Sequence, residues 1–151
     1  GFSKDSYWAR GAAWAIYGFA LSHRYTGDDR YRAASVRLAK TFLAQLDEEY
    51  VPVWDFRLPP DRPHVRDTSA SAIMVCGIQE LAALEAADVE LLAAKERLLE
   101  RICREDYLDA NPNCPGVLKS AYGDKPAYSS WGDYFLMEAL DSELHVGEVF
   151  W

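Results

Sequence analysis

Three stretches that carry little charge in their first turns, residues 7–23, 69–84 and 131–144, constrain this chain more than any other feature. Each is rich in small or aromatic side chains, too evenly apolar to turn a whole face to solvent. Each therefore predicts a helix enclosed on most sides. Such helices need neighbours all round. Two amphipathic runs lie between them. In the first, Tyr31, Ala34, Leu38, Phe42 and Leu46 recur at three- and four-residue steps, while Arg32, Arg37, Lys40 and Gln45 fill the other faces. Asp28 and Asp29 supply a cap and a negative charge for its first turn. In the second, Leu91, Leu92, Leu98, Leu99 and Ile102 are set against Glu96, Arg97, Glu100, Arg101 and Arg104.

Helix start signals recur at a fixed interval. Asp5-Ser6 and Asp67-Thr68 stand 62 residues apart, and Ser129-Ser130 stand another 62 beyond. Each unit reads as an αα-hairpin with a long return loop. Enclosed and covering helices in alternation predict an all-α fold, an α/α toroid in which hairpins ring an axis. The return loops 49–66 and 106–128 hold all seven prolines, and residues 50–56 read as a short extended piece. Two and a half hairpins cannot close a ring. Residues 1–151 are thus expected to form a single helical domain that is an incomplete toroid, an open arc or part of something larger.

Charge narrows the partners. With 16 Lys and Arg against 24 Asp and Glu, the formal net charge is −8, and the mean field repels phosphate. Neither nucleic acid nor an anionic membrane surface is an expected partner. The longest uncharged apolar stretch, 12–21, is far short of the roughly 20 residues that cross a bilayer. Three cysteines at irregular spacings offer no CxxC pair and no disulfide lattice. Cys76, in an apolar run, reads as a small core residue, and a reduced, cytoplasmic protein is expected. The chain begins at Gly1 in place of Met, which reads as a processed, tagged or shortened polypeptide.

The stretch Trp8-Ala9-Arg10-Gly11-Ala12-Ala13-Trp14 carries the most chemistry. Arg10 and Trp14, at i and i+4, share a helix face, while Trp8 points elsewhere or belongs to the turn leading in. Gly11 and Gly18 lower helix propensity, and their presence suggests close approach of a neighbour or ligand. A guanidinium among indoles can bind a carboxylate bidentately while the rings stack on a sugar. The same pattern also fits tryptophans that fill core and an Arg10 paired with an internal acid such as Asp133. Asp5, Asp55, Asp67 and Asp133 lie near helix starts or in loops, which in a toroid face one end. Asp5 and Asp67 also fit plain N-caps. Two carboxylates around a pocket would suit glycoside hydrolysis. His23, His64 and His145 have no ligand-spaced partners, so no metal is expected. No phosphate loop, dinucleotide turn or serine elbow is present, and no cofactor is implied.

Four blocks together resemble a known family. They are Trp8 to Phe19, Trp54-Asp55-Phe56, Arg66 to Ile73 with Gly77 to Leu81, and Trp131-Gly132-Asp133-Tyr134-Phe135 with Glu138-Ala139-Leu140. They are similar, in order and from end to end, to the unsaturated glucuronyl hydrolases, glycoside hydrolase family 88. The resemblance implies an (α/α)6 barrel acting in polysaccharide degradation on lyase-generated oligosaccharides with a 4,5-unsaturated uronic acid at the non-reducing end. In that family an aspartate protonates the vinyl-ether double bond and water adds to the cation. The resulting hemiketal collapses and releases the next sugar. Trp8, Arg10 and Trp14 match the family's substrate-contacting residues, and Ser129 or Ser130 matches the serine region that receives the uronate carboxylate.

Two departures follow from the same comparison. Ala12 stands where the family usually has Gln. The family's proton-donating aspartate and a His-Gln pair belong to the preceding half of its barrel, so this chain resembles the C-terminal half. It is expected to be inactive alone, with Asp67 and Asp133 as the candidate acids should activity appear. The competing expectation is a non-catalytic carbohydrate-binding or helical interaction module. Apolar surface on an open arc favours self-association or docking onto a missing half.

Overall fold

The computed structural model describes residues 1–121 and 127–145. Five helices run in the order α1 (Ala9–Thr26), α2 (Asp29–Leu43), α3 (Thr68–Ala83), α4 (Val89–Ile102) and α5 (Ser130–Leu144). The predicted segments are all present, with shifted ends. α1 starts at Ala9 because Trp8 is held in extended conformation by pairing with Asp55, and Asp5 is exposed and caps nothing. Leu46 lies past the end of α2, where the chain tightens into a turn through Gln45 N–H to Phe42 O and Leu46 N–H to Leu43 O. Elsewhere the local signals hold. Asp28, Asp67, Asp88 and Ser129 each accept a first-turn N–H, satisfying a donor that the helix leaves open. Gly27, at φ 69°, closes α1 in the left-handed conformation.

α3 is the centre. Ile73, Met74, Ile78 and Leu81 are inaccessible to solvent, and burial of each such side chain is worth about 1.5–3 kcal/mol. α1 and α5 flank α3, and α2 and α4 cover the outside with one face each. Gly77 lets α1 approach, since a Cβ there would lie 3.1 Å from Ile16 and 3.3 Å from the Tyr17 backbone nitrogen. α1, α3 and α5, alternating with the covering α2 and α4, are the inner helices of an α/α toroid arc, but only α3 is enclosed on most sides as the sequence predicts: α1 and α5, at the two sides of α3, each leave a face open where an arc has no further neighbour. Cys76 is buried against α5, as a core residue should be.

The long loops cross the N-terminal ends of the inner helices. The extended piece at 50–56 forms isolated bridges, with Trp54 N–H donating to Val65 O and Phe56 N–H to Tyr7 O. Asp55, fully buried, accepts from the backbone N–H groups of Phe2, Tyr7 and Arg57. Farther along, Thr68 donates through its N–H to Ser120 O and through its hydroxyl to Lys119 O. On its far side α5 keeps an open apolar stripe, with Met137 71% and Leu144 78% exposed. No helix among the described residues is long and apolar enough to cross a membrane.

Candidate functional site

The first turns of α1, α3 and α5 meet at one end of the arc. Arg10 in α1 donates from Nη1 to Ser69 Oγ in α3 at 3.1 Å and to Ala121 O at 3.2 Å. The same Ala121 carbonyl accepts from Ser129 Oγ, the cap of α5, at 2.7 Å. A Cβ on Gly132 would lie 3.6 Å from Ser69 Cβ, so α5 stands close over α3. Three helix N-termini and a guanidinium meet there, with the acids Asp67 and Asp133 among them, inside a chain of net charge −8.

Arg10 lies over two indoles, with its guanidinium carbon 5.3 Å from the Trp8 ring centre and 5.1 Å from the Trp131 ring centre. The second ring is Trp131, not Trp14. Gly11 makes room for the first, because a Cβ there would come within 2.5 Å of the Trp8 ring, while nothing approaches Gly18. All hydrogen bonds of Arg10 among the described residues run through Nη1; Nε and Nη2 make none there. Trp14 sits a turn deeper, 38% exposed, edge-on to Phe135 with ring centres 4.8 Å apart.

The acid beside Arg10 is Asp67, not Asp133. Asp67 Oδ2 is 3.8 Å from Arg10 Nη1, while Oδ1 accepts from the Ser69 hydroxyl and from Ala70 N–H. Its carboxylate is sealed from solvent, and Oδ2 makes no hydrogen bond among the described residues. Burial raises the Asp67 pKa above its ordinary value; Arg10, the Ser69 hydroxyl and backbone N–H groups pull the other way without cancelling it. Asp133 instead accepts from Val117 N–H at 3.1 Å and Leu118 N–H at 2.8 Å, pinning the return loop. Ser129 is spent as cap and Ala121 partner, and Ser130 is exposed at the start of α5.

The sequence reading left out Trp131 and Ser69 as Arg10 partners. Helical spacing marks neither as a partner of α1; only the crossing of distant loops and helix ends brings about either contact. Among the described residues no group of three or more His, Cys, Asp or Glu side chains is placed to hold a metal ion. Chemically, the arrangement can grip a carboxylate and stack on a ring.

No family model matches the chain. Among curated proteins it is 33% identical to an unsaturated glucuronyl hydrolase of Bacillus sp. (strain GL1), the match covering 93% of this chain and 40% of that protein. It is 34% identical to an unsaturated glucuronyl hydrolase of Formosa agariphila, covering 93% and 37%. It is 33% identical to an unsaturated chondroitin disaccharide hydrolase of Streptococcus pyogenes serotype M1, covering 93% and 38%. The chain thus spans about two fifths of the length of these relatives. The crystal structure of the Bacillus sp. GL1 unsaturated glucuronyl hydrolase superposes with a TM-score of 0.84 at 33% identity, over 97% of this chain and 41% of that one. A Streptococcus agalactiae unsaturated glucuronyl hydrolase variant complexed with dGlcA-GalNAc6S superposes with a TM-score of 0.87 at 31% identity, over 100% and 43%.

Proposed function

Because the chain belongs to the family of the unsaturated glucuronyl hydrolases and matches only part of their length, we propose that it forms the uronate-gripping C-terminal part of such a hydrolase. The single observation that carries this reading is Arg10, stacked on two indoles at three converging helix N-termini with Nε and Nη2 making no hydrogen bond among the described residues. That Nε and Nη2 edge takes the carboxylate of a 4,5-unsaturated uronic acid. Trp8 and Trp14 present ring faces to the sugar, and exposed Ser130 lies at the rim beside buried Ser129.

The reaction needs a carboxyl group that protonates the vinyl-ether carbon and a water that adds to the cation. Asp133 is engaged by two backbone N–H groups. Asp67 has the raised pKa that a proton donor needs but is sealed from solvent behind Arg10 and Ser69. With neither of these two candidates placed to reach a substrate, the reading assigns the acid to a part of the hydrolase outside this chain. The test is loss of the absorbance of an unsaturated uronyl disaccharide, with calorimetric binding in parallel. Binding that depends on Arg10, with no turnover, is expected; turnover by the chain alone overturns the assignment of the acid.

A second reading, a non-catalytic carbohydrate-binding or helical interaction module, is favoured by the open stripe on α5. Tyr134, Met137, Leu140 and Leu144 present apolar surface there. Sedimentation separates the two possibilities for that surface: association supports docking through α5, and a stable monomer removes it. The three free cysteines suit a reducing compartment, and a cytoplasmic location is proposed on that ground.

A further inference from the structure

Two inner helices are tied together over a third by side chains whose purpose the carboxylate site does not account for. α1 and α5 flank α3, and above it Tyr17 of α1 donates its hydroxyl to Glu138 Oε1 of α5 at 2.5 Å. Glu138 is buried, and its Oε2 makes no hydrogen bond among the described residues. Tyr134 and Cys76 lie against the same carboxylate. Burial first, and then Glu138, raises the pKa of both groups, Tyr134 to about 12. An acid side chain buried among hydroxyl and thiol groups is a costly way to fill space, since a leucine would pack without desolvating polar atoms. What it supplies is direction.

Glu138 fixes the rings that fix Phe135. Tyr17 meets Phe135 edge-on with ring centres 6.1 Å apart, and Tyr134 meets it edge-on at 4.9 Å. Phe135, buried between them, meets the indole of Trp14 at 4.8 Å and 82°. The order of support is therefore Glu138, the two tyrosines, Phe135, Trp14. Trp14 is the one member of this group, besides Tyr134, that is open to solvent.

We propose that Glu138 is a positioning residue that sets the plane of the Trp14 indole for stacking on a sugar ring. The proposal rests on the reading of α1 as part of a uronide site, and it concerns the saccharide face of that site, not its carboxylate contact. Glu138 touches no substrate; it acts through Phe135.

The experiment uses the whole chain and isolates Trp14 by difference against Trp14→Phe. Glu138→Leu removes the acceptor, Tyr17→Phe removes one donor at almost constant volume, and Glu138→Gln restores a carbonyl acceptor. Far-UV circular dichroism confirms that each variant is folded. Without ligand, Glu138→Leu is expected to abolish the Trp14 part of the near-UV signal and increase its acrylamide quenching. Tyr17→Phe should do so partly, and Glu138→Gln should recover most of the native signature. With an unsaturated uronyl disaccharide, Glu138→Leu should weaken affinity about 3- to 10-fold, the loss of one well-oriented aromatic contact. The same change in the Trp14→Phe background should add nothing.

An unchanged Trp14 signature in Glu138→Leu overturns the proposal, as does an affinity loss that persists without Trp14. Should Glu138→Leu fail to fold, an unchanged signature in Tyr17→Phe overturns it equally. Absence of binding by the unaltered chain would count against the uronide reading, and the ligand-free signature would still decide the role of Glu138.

Discussion

Replacing Asp67 by asparagine separates two explanations of a buried acid beside an arginine. If the ion pair with Arg10 holds the site together, removing one partner of a buried pair costs about 3–5 kcal/mol. The structure argues for a much smaller effect. Burial outweighs Arg10 and the hydrogen bonds, so the folded-state pKa of Asp67 stands above its ordinary value. A carboxyl group with a raised pKa binds its proton more tightly folded than unfolded. Its contribution therefore declines as pH rises from the unfolded value through the folded one, and at neutral pH the ionised group is a net cost. Asparagine removes that cost and keeps the cap, because its oxygen can still accept from Ala70 N–H and the Ser69 hydroxyl. Arg10 keeps Ser69, Ala121 and both indoles. Asp67→Asn should thus change stability by less than about 1 kcal/mol at pH 7, with the pH slope above the unfolded pKa flattened. Asp67→Ala also removes the cap and should lose about 1–2 kcal/mol more. At roughly 2–4 °C per kcal/mol for a chain of this size, thermal unfolding resolves the two. A fall of about 6 °C or more for Asp67→Asn, the lower limit for a broken buried pair on those figures, would refute the reasoning.

Other positions test the same physics. Asp55→Asn should lower stability by about 2–4 kcal/mol, because one oxygen facing backbone N–H groups becomes a donor and the charge assistance on the others is lost. Burial acts to raise the Asp55 pKa, but the N–H groups of Phe2, Arg57 and Tyr7 and the Ser6 hydroxyl hold it below the ordinary value. Its stabilisation is therefore present above the unfolded pKa and lost as pH falls through the folded one, so acid unfolding of Asp55→Asn should begin from a lower plateau and show a shallower acid limb. Gly11→Ala gains helix propensity of about 1 kcal/mol but pushes the Trp8 ring aside. The melting temperature should hardly move while uronide affinity falls; unchanged affinity would remove Trp8 from the site.

What could be read from residues was what local rules govern. The caps at Asp28, Asp67 and Ser129 follow from side-chain chemistry within three residues, and the enclosure of α3 follows from an apolar run that leaves no polar face. The start of α1 is different. Its position is set by Ala9 N–H donating to Trp54 O and by Trp8 pairing with Asp55, contacts made by a loop distant in sequence. A cap rule therefore chose Asp5 and Ser6 wrongly. The same limit separates faces from partners: helical spacing put Arg10 and Trp14 on one side of α1 but could not show that Trp131 would reach Arg10 or that Phe135 would reach Trp14. Nor could it choose Asp67 over Asp133 for Arg10, since that depends on how the loop carrying Ala121 crosses the helix ends.

The proposed function gives Arg10 two tasks that a lysine cannot combine, and the substitution shows which task dominates. Nη1 is committed inward to Ser69 and Ala121 and stands 3.8 Å from Asp67, while the opposite edge makes no hydrogen bond among the described residues. A planar fork can do both at once because its donors diverge in fixed directions. An ammonium group is a point charge: drawn inward by Ser69, Ala121 and Asp67, it leaves the outer side bare. Arg10→Lys should therefore retain a cation for Asp67 and cost at most about 1.5–3 kcal/mol of stability, since no more than one charge-assisted bond is lost internally. A carboxylate would lose its bidentate partner, worth about 1.5–3 kcal/mol, so affinity for an unsaturated uronyl disaccharide should fall about 10- to 150-fold. Arg10→Ala should lose both, because Asp67 is then buried without a cation. Calorimetric titration and thermal unfolding of the two variants give the comparison directly. If Arg10→Lys binds as well as the parent while melting far lower, the inward bonds are the reason for the arginine, and the open edge binds nothing.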